Sequence, residues 1–71
     1  MEQTVSSSTF AKNAITGQQE LKFDAGYVMH IYDNTGKYYK FIFHTSEKKL
    51  TVLDKIPDGT SITIEYEMGY V

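Results

Sequence analysis

The stretch that decides the fold is Tyr27-Val-Met-His-Ile-Tyr-Asp33-Asn-Thr-Gly36-Lys-Tyr-Tyr-Lys-Phe-Ile-Phe-His44. Two runs of β-branched and aromatic residues flank Asp-Asn-Thr-Gly, and a glycine preceded by polar residues between such runs is typical of a hairpin turn. Type I geometry over Asn34 and Thr35, with Gly36 in the left-handed region, would close the turn. We therefore predict an antiparallel hairpin over this stretch.

The predicted register of the hairpin pairs Asp33 with Gly36, so that His30 faces Tyr39. Alternation along both strands then gives two faces that are each largely apolar, whereas a half-exposed sheet has one polar face. We expect the core to cover one face and a further contact to cover part of the other. That second face would carry Tyr38, Lys40, Ile42 and His44.

Upstream of the hairpin, residues 20–32 read as one long strand or as two collinear strands. Leu21 and Phe23 alternate with polar residues before Gly26 interrupts the pattern. A glycine inside a strand often marks a bulge or a sharp bend. In small barrels such a bend lets one strand take part in two sheet faces.

The first nineteen residues are less regular. Residues 1–9 are polar and serine-rich, and we interpret them as a flexible N-terminal tail ahead of a single domain over residues 10–71. Residues 10–19 fit one helical turn as well as a short strand. The β-like sequence that follows favours the strand.

Downstream of the hairpin, residues 45–56 are also ambiguous. Leu50, Leu53 and Ile56 follow helical spacing, whereas Leu50, Val52 and Asp54 follow strand spacing. We favour a short helix or helical turn. A Pro-Asp-Gly turn comes next, and the last strand then alternates regularly. Its apolar side chains, which should share one face, are Ile62, Ile64, Tyr66, Met68 and Tyr70.

Composition limits how the chain can be stabilised. It has 71 residues, a formal net charge of −2 and no cysteine. A chain this short is one domain, and small domains often need disulfides, a metal or a partner subunit. Because cysteine is absent, disulfides and cysteine–zinc sites are excluded. A second copy of the chain is then the simplest remaining source of stability.

Residues that could carry chemistry are few. The predicted register places His30 and His44 on opposite faces, so they would not share a metal ion. The carboxylates lie in predicted turns or on solvated faces, where acidic residues are common. The sequence contains neither Gly-x-Ser-x-Gly nor a glycine-rich phosphate loop. We therefore expect a chain that is not an enzyme and that uses no catalytic residue, metal or cofactor.

Two longer patterns bear on the fold family. A bent strand, a hairpin and a short helical connection precede Ile56-Pro-Asp-Gly-x-x-Ile-x-Ile-x-Tyr66. This order looks like the second half of an oligonucleotide/oligosaccharide-binding (OB) barrel. The pattern Tyr32-Asp-x-x-Gly-Lys37, with Phe41-x-Phe43 after it, also resembles small extracytoplasmic OB-like proteins of Gram-positive bacteria whose role is poorly defined.

The fold class expected from these patterns is mainly β: a small antiparallel β-barrel of OB-like or SH3-like type with at most one short helix. One strand is missing from the OB pattern, because no clear strand follows Tyr66. Residues 9–16 supply it, or the barrel is open, or a second chain fills the gap. An unpaired strand edge is a liability unless it is covered, so an open barrel implies a dimer.

The sequence feature that bears most directly on function is the alternation of aromatics and lysines over residues 37–49. Exposed aromatics on an OB surface stack on bases while lysines follow the phosphates, but the same aromatics could cover an interface between copies. Arginine, which reads phosphate and guanine best, is absent, and the net charge opposes a polyanion. We expect a protein-binding or assembly module, a homodimer or higher oligomer, with weak single-stranded nucleic-acid binding as the alternative. The candidate binding residues are Tyr38, Lys40, Ile42, His44, Lys48 and Lys49.

Compartment is constrained only weakly by the sequence. No apolar run approaches the roughly 18 residues that a membrane-spanning helix needs. The first eight residues have neither the basic nor the apolar region of a signal peptide. The expectation is a soluble protein that is either cytoplasmic or secreted after removal of a leader.

Overall fold

The computed structural model describes residues 1–69 of the chain. This part contains seven strands and one turn of 3-10 helix, at Ser7–Thr9. In chain order the strands are β1 (Glu2–Ser6), β2 (Ala11–Lys12), β3 (Gln19–Lys22), β4 (Tyr27–Asp33), β5 (Phe41–His44), β6 (Lys49–Val52) and β7 (Ser61–Glu67).

The strands form two antiparallel sheets. The first sheet has the order β1-β7-β4, and the second has the order β2-β3-β6-β5. The chain passes between the sheets repeatedly, since β3 and β4 belong to different sheets, as do β4 and β5. The mainly β class is confirmed, whereas neither sheet is closed into a barrel over the described residues.

The predicted hairpin turn is confirmed in detail. Gly36 has a φ of 90°, and its N–H donates to the Asp33 carbonyl at 3.0 Å. The Asp33 side chain accepts from the backbone N–H groups of Thr35 at 2.9 Å and Lys37 at 3.0 Å. The turn is therefore specified locally in the sequence. Asp is favoured at position 33 because its carboxylate accepts hydrogen bonds from backbone N–H groups of the same turn.

The predicted hairpin register is wrong. Tyr32 pairs with Tyr38 in an isolated bridge, so His30 does not face Tyr39. Beyond this bridge the two arms separate, because β4 pairs with β7 and β5 pairs with β6. The partner of each arm is a strand distant in sequence, which the hairpin pattern cannot reveal.

A β-bulge explains why the predicted faces of β4 also differ. The register with β7 shifts between Val28 and His30, which inserts Met29 as the extra residue and reverses the alternation beyond it. Ile31 is consequently fully buried, whereas His30 and Tyr32 lie on the outer face of the first sheet, opposite Glu65 and Thr63.

The core lies between the two sheets. Ile31, Ile62 and Ile64 enter it from the first sheet, and Leu50 and Val52 enter from the second. The connecting segments contribute the remaining members of this hydrophobic cluster, which are Phe10, Phe23, Ala25, Tyr39 and Ile56.

Residues 49–52 form β6 and not the short helix that we expected over residues 45–56. The strand lies between β3 and β5 in the second sheet, and Leu50, Thr51 and Val52 are all buried. Because β6 is a central strand, side chains of β3 and β5 flank Thr51 on the outer side of the sheet while Leu50 and Val52 enter the core. The helical spacing of Leu50 and Ile56 was therefore a coincidence of strand and loop positions.

The N-terminal residues also differ from expectation. Residues 1–9, interpreted as a tail, contain β1, which pairs with β7 from Glu2↔Glu65 to Ser6↔Ser61. Residues 10–19 contain the two-residue strand β2 and a turn that leads into β3.

Gly26 lies at the bend between β3 and β4, as the interrupted pattern predicts. Its backbone comes very close to the carbonyl of Met68 and to Gly69, so a side chain at this position would collide with backbone atoms. The close approach explains the glycine without any unusual dihedral angle. Of the alternating residues of the last strand, Tyr70 lies outside the described residues.

Candidate functional site

The outer face of the first sheet is acidic and aromatic. We call it the acidic face and define it by Glu2 on β1, Glu65 on β7, His30 and Tyr32 on β4, and Tyr38 beside β4. Glu65 lies directly opposite Glu2 on one side and His30 on the other. Two carboxylates are therefore cross-strand neighbours, an arrangement of like charges that destabilises a sheet.

An aromatic cluster occupies the β4 side of the acidic face. The Tyr38 ring lies 5.2 Å from the Tyr32 ring and 5.6 Å from the His30 ring, measured between centroids. Tyr38 is nevertheless 59% exposed. Met29 and Tyr27, farther along β4, are also exposed, so the cluster continues as an apolar strip open to solvent.

The carboxylates of the acidic face have a hydroxyl partner but no ion-pair partner among the described residues. The Tyr32 hydroxyl donates to Glu2 Oε2 at 3.3 Å, and burial first, then the Glu2 carboxylate, raises the pKa of Tyr32. Glu67, at the end of β7, pairs with the N-terminal ammonium at 3.2 Å. Glu2 and Glu65 form no ion pair within the described residues.

The outer face of the second sheet has the opposite character. We call it the lysine face and define it by Lys22, Lys40, Ile42, His44, Lys49 and Leu53. Lys49 of β6 lies directly opposite Lys22 on one side and His44 on the other. Lys49 also pairs with Glu20 at 3.8 Å and with Glu47 at 3.3 Å, which offsets part of this positive charge.

Apolar side chains lie among the lysines. Ile42 is 48% exposed and Leu53 is 43% exposed. Thr51 is directly opposite Ile42 on the same side of the sheet and is only 4% exposed. The Thr51 hydroxyl has no hydrogen-bond partner among the described residues, and a buried hydroxyl without a partner costs about 1–3 kcal/mol.

Replacing this threonine by valine tests the description of the lysine face. Thr51→Val keeps the shape of the side chain and removes the unpaired hydroxyl, so we expect a gain of up to about 1 kcal/mol in the free energy of unfolding. Urea unfolding followed by circular dichroism measures it. Thr63→Val is the matched control, because the Thr63 hydroxyl bonds that of Thr4 at 3.0 Å and its removal offers no such gain. A loss of stability in Thr51→Val would contradict the description.

The candidate residues named from the sequence do not share one face. Tyr38 belongs to the acidic face, whereas Lys40, Ile42, His44 and Lys49 belong to the lysine face, because the chain crosses from one sheet to the other after Tyr38. Lys48 belongs to neither: its ammonium group donates to the Ala25 carbonyl at 2.7 Å.

The most perturbed titratable groups serve the fold. Hydrogen bonds, first from the Thr35 side chain and then from Tyr39, hold the pKa of Asp33 well below its ordinary value. Burial, followed by the hydrogen bond to Asp33, raises the pKa of Tyr39 to about 12. Tyr39 donates to Asp33 Oδ2 at 2.8 Å inside the core, so this pair stabilises the hairpin.

One groove of about 520 Å³ opens at the end of the second sheet, between the β2–β3 turn and the segment after β6. Gln19 and Ile56 line this groove, and the Gln19 side-chain amide accepts from the Ile56 N–H at 2.7 Å and donates to the Ile56 carbonyl at 3.3 Å. Within residues 1–69 no group of three or more His, Asp or Glu side chains could hold a metal ion.

Sequence reasoning missed the partners that make the two faces. The acidic outer side of β7 is visible in the alternation of Ser61 to Glu67. The pairing of Glu2 with Glu65 and the bulge at Met29 have no local signal.

Comparisons with protein families, with curated proteins and with solved structures found no match to this chain. No helix within the described residues is long and apolar enough to cross a membrane.

Proposed function

We propose that this chain is a non-catalytic binding and assembly module that associates with protein chains, its own copies included. The observation that carries the proposal is the exposed aromatic cluster of the acidic face, where Tyr38 packs at a tilt against Tyr32 and edge to face against His30 without entering the core. Tyrosines are enriched at the centres of protein interfaces, and exposed apolar strips of this kind often mark them.

Unpaired strand edges add support for self-association. The segment before β5 bonds one end of β4, through the Tyr32–Tyr38 bridge and the Tyr39 N–H to the Ile31 carbonyl, whereas β4 and β5 themselves belong to different sheets. Among the described residues, one edge of β5 and residues 27–30 on one edge of β4 therefore pair with no strand. Free edges invite pairing with another chain. For the architecture we propose an OB-like or SH3-like barrel that is open between these two strands, with the chain crossing between sheets at Gly26.

The nucleic-acid alternative has less support. Base stacking on Tyr38 would need lysines alongside the ring to hold the phosphates, whereas the charged side chains across that face are Glu2 and Glu65. Lys48 and Lys49, two of the cations proposed for the phosphates, are already engaged with Ala25, Glu20 and Glu47.

Light scattering coupled to size-exclusion chromatography tests the proposal. The wild-type chain should elute with a mass above the 8.1 kDa of one copy, and the excess should grow with the concentration loaded. Tyr38→Ser should weaken the association roughly tenfold or more, because interface tyrosines often dominate binding.

Ile15→Ser is the matched control for this experiment. Ile15 is 95% exposed but lies in the β2–β3 turn, outside both defined faces, so its loss should leave the mass unchanged. A wild-type chain that elutes at 8.1 kDa at every concentration would refute the self-association part of the proposal.

A further inference from the structure

We propose that copies of this chain assemble head to tail, with the acidic face of one copy packed on the lysine face of the next. The proposal rests on the self-association proposed above and adds which surfaces meet. The two faces lie on the outer sides of two sheets that share one core, so they point away from each other and each is open to a neighbour.

The two faces carry charges of opposite sign. Glu2 and Glu65 are directly opposite each other on the acidic face, and Lys22 and Lys49 are directly opposite each other on the lysine face. Each pair of like charges destabilises its own sheet. A neighbouring copy that brings the opposite sign would relieve both repulsions in one contact.

The lysine face keeps two lysines outside its ion pairs. Lys49 pairs with both Glu20 and Glu47, and the Asp54 carboxylate at the edge of the face accepts from the Lys40 backbone N–H at 2.9 Å. Three lysines and three carboxylates therefore balance, and the positive charge that a neighbour can meet is local to Lys22 and Lys40. Lys22 and Lys40 form no ion pair within the described residues.

The centres of the two faces are also complementary. Tyr38 offers an exposed ring on the acidic face, whereas Ile42 and Leu53 offer exposed aliphatic side chains on the lysine face. Aliphatic side chains pack well on aromatic rings, and a lysine ammonium beside them gains from the ring face through a cation–π contact. Each face thus has an apolar centre with charges around it, as protein interfaces do.

Size permits the contact. The chain measures 37 × 29 × 17 Å along its principal axes, and the thin dimension matches two packed sheets with their side chains. A broad face of 37 × 29 Å can supply the roughly 800 Å² per partner of a standard interface.

A two-fold contact would lack this complementarity. Packing two acidic faces together would set Glu2 and Glu65 against their own copies, and packing two lysine faces together would do the same for Lys22 and Lys40. A contact between different faces leaves one free face at each end of every pair. Such a heterologous contact repeats into rings or open chains.

Two variants that each block one face test the proposal. Tyr38→Lys puts a cation on the acidic face, and Ile42→Glu puts a carboxylate on the lysine face. Both positions are about half exposed or more, so circular dichroism should show folded chains. Ile15→Lys, outside both faces, is the control and should assemble as the wild type does.

The proposal expects each blocked variant alone to be a monomer of 8.1 kDa at concentrations where the wild type assembles. An equimolar mixture should form a 1:1 complex and stop there, because each variant supplies one intact face. Sedimentation velocity measures all three samples. Should either variant fail to fold, Glu65→Lys and Lys22→Glu replace them with the same expected outcomes.

The other outcomes have separate meanings. If the wild type remains a monomer, the proposed self-association itself fails. If the wild type assembles while one blocked variant still assembles alone, or while the mixture stays monomeric, self-association stands and the head-to-tail contact is overturned.

Discussion

Replacing Asp33 by alanine should unfold the chain at temperatures and urea concentrations that the wild type withstands. The carboxylate accepts hydrogen bonds from the Thr35 N–H and hydroxyl, from the Lys37 N–H and from the Tyr39 hydroxyl. Leaving the buried Tyr39 hydroxyl without an acceptor costs about 1–3 kcal/mol by itself, and the turn loses its side-chain support in addition. Urea unfolding measures the loss.

The effect should depend on pH in a defined direction. The pKa of Asp33 is lower in the folded chain than its ordinary value of 3.8, so the carboxylate stabilises the fold fully above the unfolded value and less as the pH falls below it. The stability difference between the wild type and Asp33→Asn should therefore be constant above roughly pH 5 and shrink below pH 4.

Asp58→Ala is the matched control for Asp33, because Asp58 is an exposed turn residue. It should change the free energy of unfolding by no more than about 0.5 kcal/mol, as surface substitutions usually do. Equal losses at the two positions, or a difference that grows as the pH falls, would contradict the role given to the Asp33 carboxylate.

Gly26→Ala should be the second large loss, about 3 kcal/mol in the free energy of unfolding. An added Cβ would meet the backbone of Met68 and lie 2.6 Å from the Gly69 Cα, and backbone atoms cannot move aside as a flexible side chain can. Overpacking costs about 1–3 kcal/mol, and contact with backbone belongs at the upper end. Since such small domains have only about 0.05–0.15 kcal/mol of stability per residue, this change would bring the chain close to unfolding.

A double-mutant cycle identifies the cause of that loss. Ending the chain at Glu67 removes the atoms that the new Cβ would meet, so Gly26→Ala should cost much less in the shortened chain. Gly59→Ala is the control, because its φ of 81° strains any side chain while nothing lies within 4 Å of the added carbon. Its cost should be the same in both backgrounds. If the cost at Gly26 is unchanged by the shortening, the close approach is not its cause.

The parts of the fold that the sequence predicted are those encoded locally. Asp33 and Gly36 specify their turn through bonds that span four residues or fewer, and the alternation of Ile62 and Ile64 specifies the buried side of β7. The bend at Gly26 was predicted correctly, because a glycine that interrupts a strand pattern is a local signal that can be read from the sequence alone.

The parts that failed depend on contacts between distant residues. β1 is a strand because β7 lies beside it, with partners from Ser6↔Ser61 to Glu2↔Glu65 that are 55 to 63 residues apart in the chain, and its polar residues 2–4 carry no strand pattern of their own. The stretch that contains β6, residues 45–56, has leucines and lysines compatible with a helix, and the position of β6 between β3 and β5 decides the outcome.

For the same reason, the sequence predicted which residues of the candidate site are exposed but not how they are distributed over the two faces. The sequence identified Tyr38 and Ile42 as aromatic and aliphatic side chains without a clear place in the core, and both are exposed. Their separation onto two faces follows from the crossing between sheets. The charge pairs Glu2 with Glu65 and Lys22 with Lys49 follow from strand pairings that no local pattern reveals.

Sedimentation equilibrium of the wild-type chain, over a concentration series at low salt, tests the central claim most directly. We predict a weight-average mass that rises above 8.1 kDa as the concentration increases and that falls again when salt screens the charged faces. A mass of 8.1 kDa at every concentration and salt level would contradict the claim that this chain is a self-associating module.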